Sequence, residues 1–140
     1  MRASFKDIID AFEFSSANAL GEHHAYLCRA TGKIYTHSDL YEEPDEELPE
    51  DIEDDEKYLM FPDRRDLGLG KPMVLDFARE VLPNDFEQVR SIFSKRGAYP
   101  KFKNLLARRN VLDRWYDFEA KATERALREW CEVNSIDLVD

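Results

Sequence analysis

Residues 94–136 read SKRGAYPKFKNLLARRNVLDRWYDFEAKATERALREWCEVNSI, and this stretch decides the fold. Trp115, Phe118, Ala122, Ala126, Trp130 and Val133 recur at intervals of 3, 4, 4, 4 and 3, the repeat of one helical face. Tyr116, Ala120, Leu127 and Cys131 widen that face on one side, and Arg114, Asp117, Lys121, Arg125 and Arg128 lie opposite. Asp117 stands four residues before Lys121, and Glu124 four before Arg128, so each pair adds roughly 0.2–0.5 kcal/mol. The spacing predicts a long amphipathic helix with both tryptophans turned inward. An aromatic stripe of this kind can line a ligand pocket, but a core is the simpler reading.

Upstream, Tyr99, Phe102, Leu105 and Leu106 give a shorter apolar face. Pro100 suits a first helical turn, where its missing N–H costs nothing. Asn110 suits the left-handed position that ends a helix, and Gly97 is expected to end the helix before this one. A glycine turn opening into a helix N-terminus exposes free N–H groups at the positive end of the dipole. Lys95, Arg96, Gly97, Lys101 and Lys103 are therefore the candidate anion- or partner-binding residues. The competing reading is a helix corner with solvated lysines.

The run Arg96-Gly97-Ala98-Tyr99, then Phe102-Lys103, then Trp115, Phe118, Leu127 and Trp130 resembles a bacterial family of uncharacterised proteins, number zero-one-five-eight of the UPF series. In that family an R-G-A-aromatic-x-x-F-K stretch precedes W-x-x-F and a terminal L-x-x-W helix. The likeness is best over the last third of the chain and weaker over the N-terminal helix and the Ala25–His37 hairpin. Pro100, the acidic insert and the Leu67–Lys71 segment depart from the pattern. The resemblance implies a fold and a bacterial cytoplasmic home. It implies no reaction and no catalytic residue.

A chain of 140 residues fits a single domain over 1–140, and 43% hydrophobic content lets it fold despite 36% charge. No run approaches the roughly 18 apolar residues of a membrane span. The first residues lack the basic and apolar regions of a secretory leader, so a cytoplasmic protein is expected. Cys28 and Cys131 are isolated thiols, expected reduced, with Cys131 in the core.

The net charge of −10 is unevenly placed. Residues 39–56 hold twelve acids and no Lys or Arg, and without them 18 acids face 20 bases, about +2. Residues 95–128 hold ten bases against four acids, or +6. Any partner is therefore to be read from this layout rather than from the total. Self-repulsion and the prolines at 44 and 49 predict an extended acidic loop over 39–56.

The rest of the chain supplies a helix, three strands and more helices. Ser4 with Asp7 resembles a capping box before Phe5, Ile8, Ile9 and Phe12, which predict an N-terminal helix ending near Phe14. Ala25–His37 reads as two strands about a tight turn at Thr31-Gly32, and Tyr58–Phe61 as a third. Pro72 opens a helix through Leu82 that turns Val74, Phe77, Ala78 and Val81 inward, and Pro83 ends it. Asn84 with Glu87 is a second capping-box pattern, before a helix carrying Phe86, Val89, Ile92 and Phe93. Strands and helices are segregated, so the predicted class is α+β: an N-terminal helix, a small three-stranded antiparallel sheet, then a bundle of four or five helices.

Signatures of chemistry are weak. His23, His24, His37 and Cys28 match no established zinc spacing, and adjacent strand residues face opposite ways. The acidic run lacks a calcium loop centred on glycine. Gly68-Leu69-Gly70-Lys71 resembles a phosphate loop, but Arg65 and Pro72 stand where a Walker motif needs Gly and Ser or Thr. No nucleophile elbow is present. The expectation is a protein without catalysis, metal or cofactor that binds another protein, as a regulatory or interaction module. The alternative is a nucleic-acid-associated protein using the basic C-terminal helices, with the acidic tract as competitor. No membrane partner is expected.

Overall fold

A computed structural model of the protein describes residues 1–16, 23–38 and 48–139. In chain order the elements are β1 (Arg2–Ser4), α1 (Phe5–Ser15), β2 (His23–Cys28), β3 (Ile34–Ser38) and β4 (Tyr58–Met60). They continue with α2 (Lys71–Val81), a 3-10 turn (Pro83–Asp85), α3 (Phe86–Ile92), α4 (Ala98–Arg108), α5 (Leu112–Val133) and β5 (Asp137–Val139). The class is α+β, with the predicted helix, three-stranded antiparallel sheet and run of helices. Two compact units divide the chain: Met1–Leu67 with Ala126–Asp140, and Gly68–Arg125. The long helix α5 gives its earlier turns to one and its last turns to the other.

In the first unit the sheet order is β3-β2-β4, and Tyr26 stands opposite both Tyr35 and Met60. The hairpin forms where predicted, but its loop takes five residues rather than a two-residue turn. Cys28 N–H donates to the Lys33 carbonyl (2.8 Å) and Gly32 N–H to the Cys28 carbonyl (2.8 Å). Gly32 is left-handed, φ 78°, and a Cβ there would run into the Arg2 carbonyl. Helix α1 buries Ile8, Ala11, Phe12 and Ser15. Ala25, Leu27, Phe61, Leu127 and Cys131 are buried in this unit as well.

Two strands lie outside the sequence reading. β1 pairs in parallel with β5, Arg2 opposite Asp137 and Ser4 opposite Val139. Ser4 thus serves as a strand residue, and no side-chain cap bond forms at the start of α1. Chain direction into β5 is set at Ser135, φ 59°. Ser135 N–H donates to Glu132 (3.1 Å) and Ile136 N–H to Cys131 (2.8 Å), the paired bonds of a Schellman ending.

The acidic tract falls partly outside the described residues, at 39–47. From Leu48 onward it is a chain of turns, not an extended loop. Asp54 N–H donates to the Asp51 carbonyl (2.9 Å) and Lys57 N–H to that of Asp54 (3.0 Å). Lys57 pairs with Asp51 at 2.8 Å, and Arg29 Nε donates to the Asp55 carbonyl at 2.9 Å. The one base beside the run and the hairpin arginine offset the self-repulsion that favoured an open chain.

In the second unit α2 buries Met73, Val74, Phe77 and Ala78, and α4 buries Phe102, Leu105 and Leu106. Trp115, fully buried, meets Phe77 edge-on at 5.2 Å and Phe102 at 5.0 Å. Asn84 lies inside the 3-10 turn, so its expected capping box does not form, and α3 starts after Asp85 without a side-chain cap. Helix α3 already ends at Ile92, so Gly97, φ 72°, opens α4 instead of closing α3. Asn110, φ 59°, ends α4 in the left-handed conformation expected of it, with Val111 N–H on the Leu106 carbonyl at 3.0 Å. The stripe of α5 needs correction at three places: Ala120 is exposed, Tyr116 is 45% exposed and Val133 82% exposed. Trp130 is half-buried, with its ring 5.0 Å from Phe61.

Candidate partner-binding surfaces

The predicted site residues Lys95, Arg96, Gly97, Lys101 and Lys103 surround the start of α4, and all five are exposed. They do not form one cluster. Lys101 and Lys103 are two residues apart on a helix, about 200° around its axis. Lys103 turns its ammonium over the Tyr116 ring at 5.6 Å, a cation–π contact that also accounts for Tyr116 remaining at the surface. Lys101 turns the other way, into a shallow groove of about 620 Å³ between α3 and α4. Gln88, Ile92, Asn104 and Arg108 line that groove with it, and among the described residues no carboxylate does. Arg108 was not among the predicted residues. Its signal was present, since 101, 104 and 108 share one helical face.

Arg109 is set apart from this surface. Its Nε donates to one Asp85 oxygen at 3.0 Å and its second nitrogen to the other at 2.9 Å, a bidentate clamp. The arginine holds the Asp85 carboxyl below its ordinary value.

A second, smaller and more enclosed cleft of about 440 Å³ opens between α2 and α5. Phe77, Glu80 and Val81 line it from α2. From α5 come Phe118 and Ala122 of the predicted apolar stripe, together with Arg114, Asp117, Lys121 and Arg125 of the polar face the sequence set opposite it. Lys121 binds Asp117 at 2.9 Å, the predicted pair. Arg114 and Arg125 make no ion pair among the described residues. Sequence reading missed this cleft because periodicity gives the faces of one helix, not the second helix that walls it.

In the other unit the histidines do not gather. His24 stands opposite His37 across the β2–β3 pair, and His23 opposite Ser38. His23 packs edge-on to Phe14 at 4.9 Å. It shares a small hollow of about 230 Å³ with His24, Ser15, Asp63 and Asp66. Asp63 and Asp66 are occupied in a local turn, each accepting the other's backbone N–H at 2.8 and 3.2 Å. Among the described residues no group of three or more His, Cys, Asp or Glu is placed to hold a metal ion.

The two thiols are free. Hydrogen bonding from Thr31 holds the Cys28 thiol below its ordinary value, against burial and the Asp51 charge. No imidazole acts on it. Burial pushes the Cys131 thiol up to about 11. No described helix is long and apolar enough to cross a membrane.

The family model described as Uncharacterised protein family (UPF0158) matches residues 1–140. The match runs over the whole chain, which corrects the reading that confined the best likeness to the last third. No curated protein and no solved structure matches the chain.

Proposed function

The chain belongs to the Uncharacterised protein family (UPF0158), and on that premise we propose that it works by binding an acidic protein in the bacterial cytoplasm, without catalysis. The observation that carries this reading is how the bases of Gly68–Arg125 are dispersed. Lys101 and Arg108 border one groove, Arg114 and Arg125 another, and Lys103 lies over Tyr116. Each set sits beside apolar or amide groups. A nucleic-acid backbone is a continuous line of charge and asks for a continuous track. Separate patches that mix charge with apolar contact suit a protein surface, where complementary charge orients the partner and apolar area holds it. The test is a titration of the whole protein with an acidic polypeptide and with a single-stranded oligonucleotide of equal charge. Tighter binding of the polypeptide supports the reading; tighter binding of the oligonucleotide overturns it.

A second reading rests on the groove between α3 and α4, which pairs Lys101 with Arg108 and has no carboxylate among the described residues of its lining. With Lys95 and Arg96 nearby in sequence, it offers phosphate contacts, and the acidic tract would compete for them. Replacing residues 42–56 by a neutral Gly/Ser linker should then strengthen oligonucleotide binding at low salt, with the gain fading as salt rises. No gain at low salt removes this reading.

A further inference from the structure

We propose that the cleft between α2 and α5 receives an amphipathic helix of the partner, laid along α5 with an acidic residue near each end. This rests on the reading that the partner is an acidic protein. Arg114 and Arg125 are eleven residues apart on one face of α5, about 16 Å or three turns. Neither makes an ion pair among the described residues. Between them Lys121 neutralises Asp117 at 2.9 Å, and Phe118 and Ala122 offer apolar surface. The cleft therefore presents positive charge, an apolar middle, and positive charge again.

That pattern selects its occupant. A small organic anion reaches one of the two arginines but not both. Nucleic acid would bring phosphates against Glu80, which lines the opposite wall. An extended peptide would find no strand edge here, and its backbone N–H and C=O groups would go unsatisfied against two helices. A helix satisfies its own backbone and brings residues eleven apart back to one face. Its acids would meet Arg114 and Arg125, its apolar residues would cover Phe118, Ala122 and Val81, and a Lys or Arg would suit Glu80. Such helix-in-groove recognition is a recurring mode.

The probe is a synthetic helical peptide of about four turns. It carries Glu residues eleven apart, Leu between them on the same face, and one Lys placed toward Glu80. Fluorescence anisotropy with the whole protein should show binding that weakens with salt. Arg114→Glu and Arg125→Glu should each lower affinity about tenfold or more, as expected for desolvated charge pairs. Reversing the matching peptide Glu to Lys should restore binding to the variant. A proline in the middle of the peptide should abolish binding, and Lys101→Glu with Arg108→Glu should weaken it less than either arginine change in the cleft. Circular dichroism confirms that the exposed arginine variants stay folded. If the peptide instead loses affinity only with the Lys101 and Arg108 variants, the helix does not sit here, although the acidic-partner reading stands. If the wild type does not bind the peptide, the proposal fails. If it also binds an oligonucleotide more tightly than an acidic polypeptide, the reading beneath it fails too.

Discussion

Trp115 and Trp130 are alike in sequence position on their helical face and unlike in surroundings. Trp115 is fully buried, with the rings of Phe77, Phe102 and Phe118 around it. Trp115→Ala should cost about 3–5 kcal/mol in equilibrium denaturation, and half-buried Trp130→Ala clearly less. Trp115→Phe should be far milder than Trp115→Ala, because the indole nitrogen makes no hydrogen bond that phenyl would lose. The glycines differ in the same way. Gly97→Ala meets only the left-handed backbone penalty of roughly 1–2 kcal/mol, since a Cβ there touches nothing. Gly32→Ala adds a collision with the Arg2 carbonyl, so its melting temperature should fall further. The thiols give a pH test. A thiol reagent should label Cys28 in the native protein and leave Cys131 until unfolding. Because the folded Cys131 value is raised, its stabilising effect is full below the unfolded thiol value of about 8.5 and lost as pH climbs toward about 11. Thermal melts should lose that part of their pH slope in Cys131→Val.

Among the elements, the clamp between Asp85 and Arg109 ties the 3-10 turn to the end of α4. Arg109→Gln should raise the Asp85 titration point in NMR, since the guanidinium is the main cause of its depression. Stability from this pair is present above the unfolded carboxylate value and falls as pH drops through the lower folded one. In Arg109→Gln that acid sensitivity should shrink. Elements of this size were legible in the sequence where a long repeat carried them. Helices α1, α2, α4 and α5 follow from apolar spacing, and the hairpin from β-prone runs about Thr31-Gly32. What failed was local punctuation. Ser4 and Asn84 look like caps, yet strand pairing claimed the first and a 3-10 turn the second. The stripe drawn from Trp115 reaches Val133 after five turns, but late burial follows Leu127 and Cys131. A helix that serves two cores need not bury the same side in both. The predicted basic site was legible as composition only. Its residues were found, while the direction each side chain takes came from Tyr116 and from α3.

Over the whole molecule the charge divides with the fold. Gly68–Arg125 holds twelve bases and eight acids, net +4, whereas the other unit holds eight bases and 22 acids, net −14. Charge layout was therefore readable in full from the sequence, apart from where the unit boundary falls. An acidic ligand of Gly68–Arg125 should associate faster as salt rises from low ionic strength, because the larger acidic field repels it at long range and is screened first. Stopped-flow association rates across a salt series check this. At the same time the dissociation rate should increase, as the direct contacts to arginine weaken. A fall in association rate with added salt would mean that the ligand responds to the basic patches alone.

The parallel pair of β1 and β5 joins Arg2 to Asp137 through three residue pairs. Bringing together segments so distant along the chain carries a loop-closure cost that grows with the logarithm of the separation. So short a ladder returns little against it. In the order of folding this seam should close after the hairpin and helices, whose contacts are nearer in sequence. In the native state it should be the first to open. The Asp137 amide, bonded to the Met1 carbonyl at 2.8 Å, should then exchange with deuterium well before the amides of β2. The chain would behave as a buckle, able to release its first and last strands together while the three-stranded sheet holds.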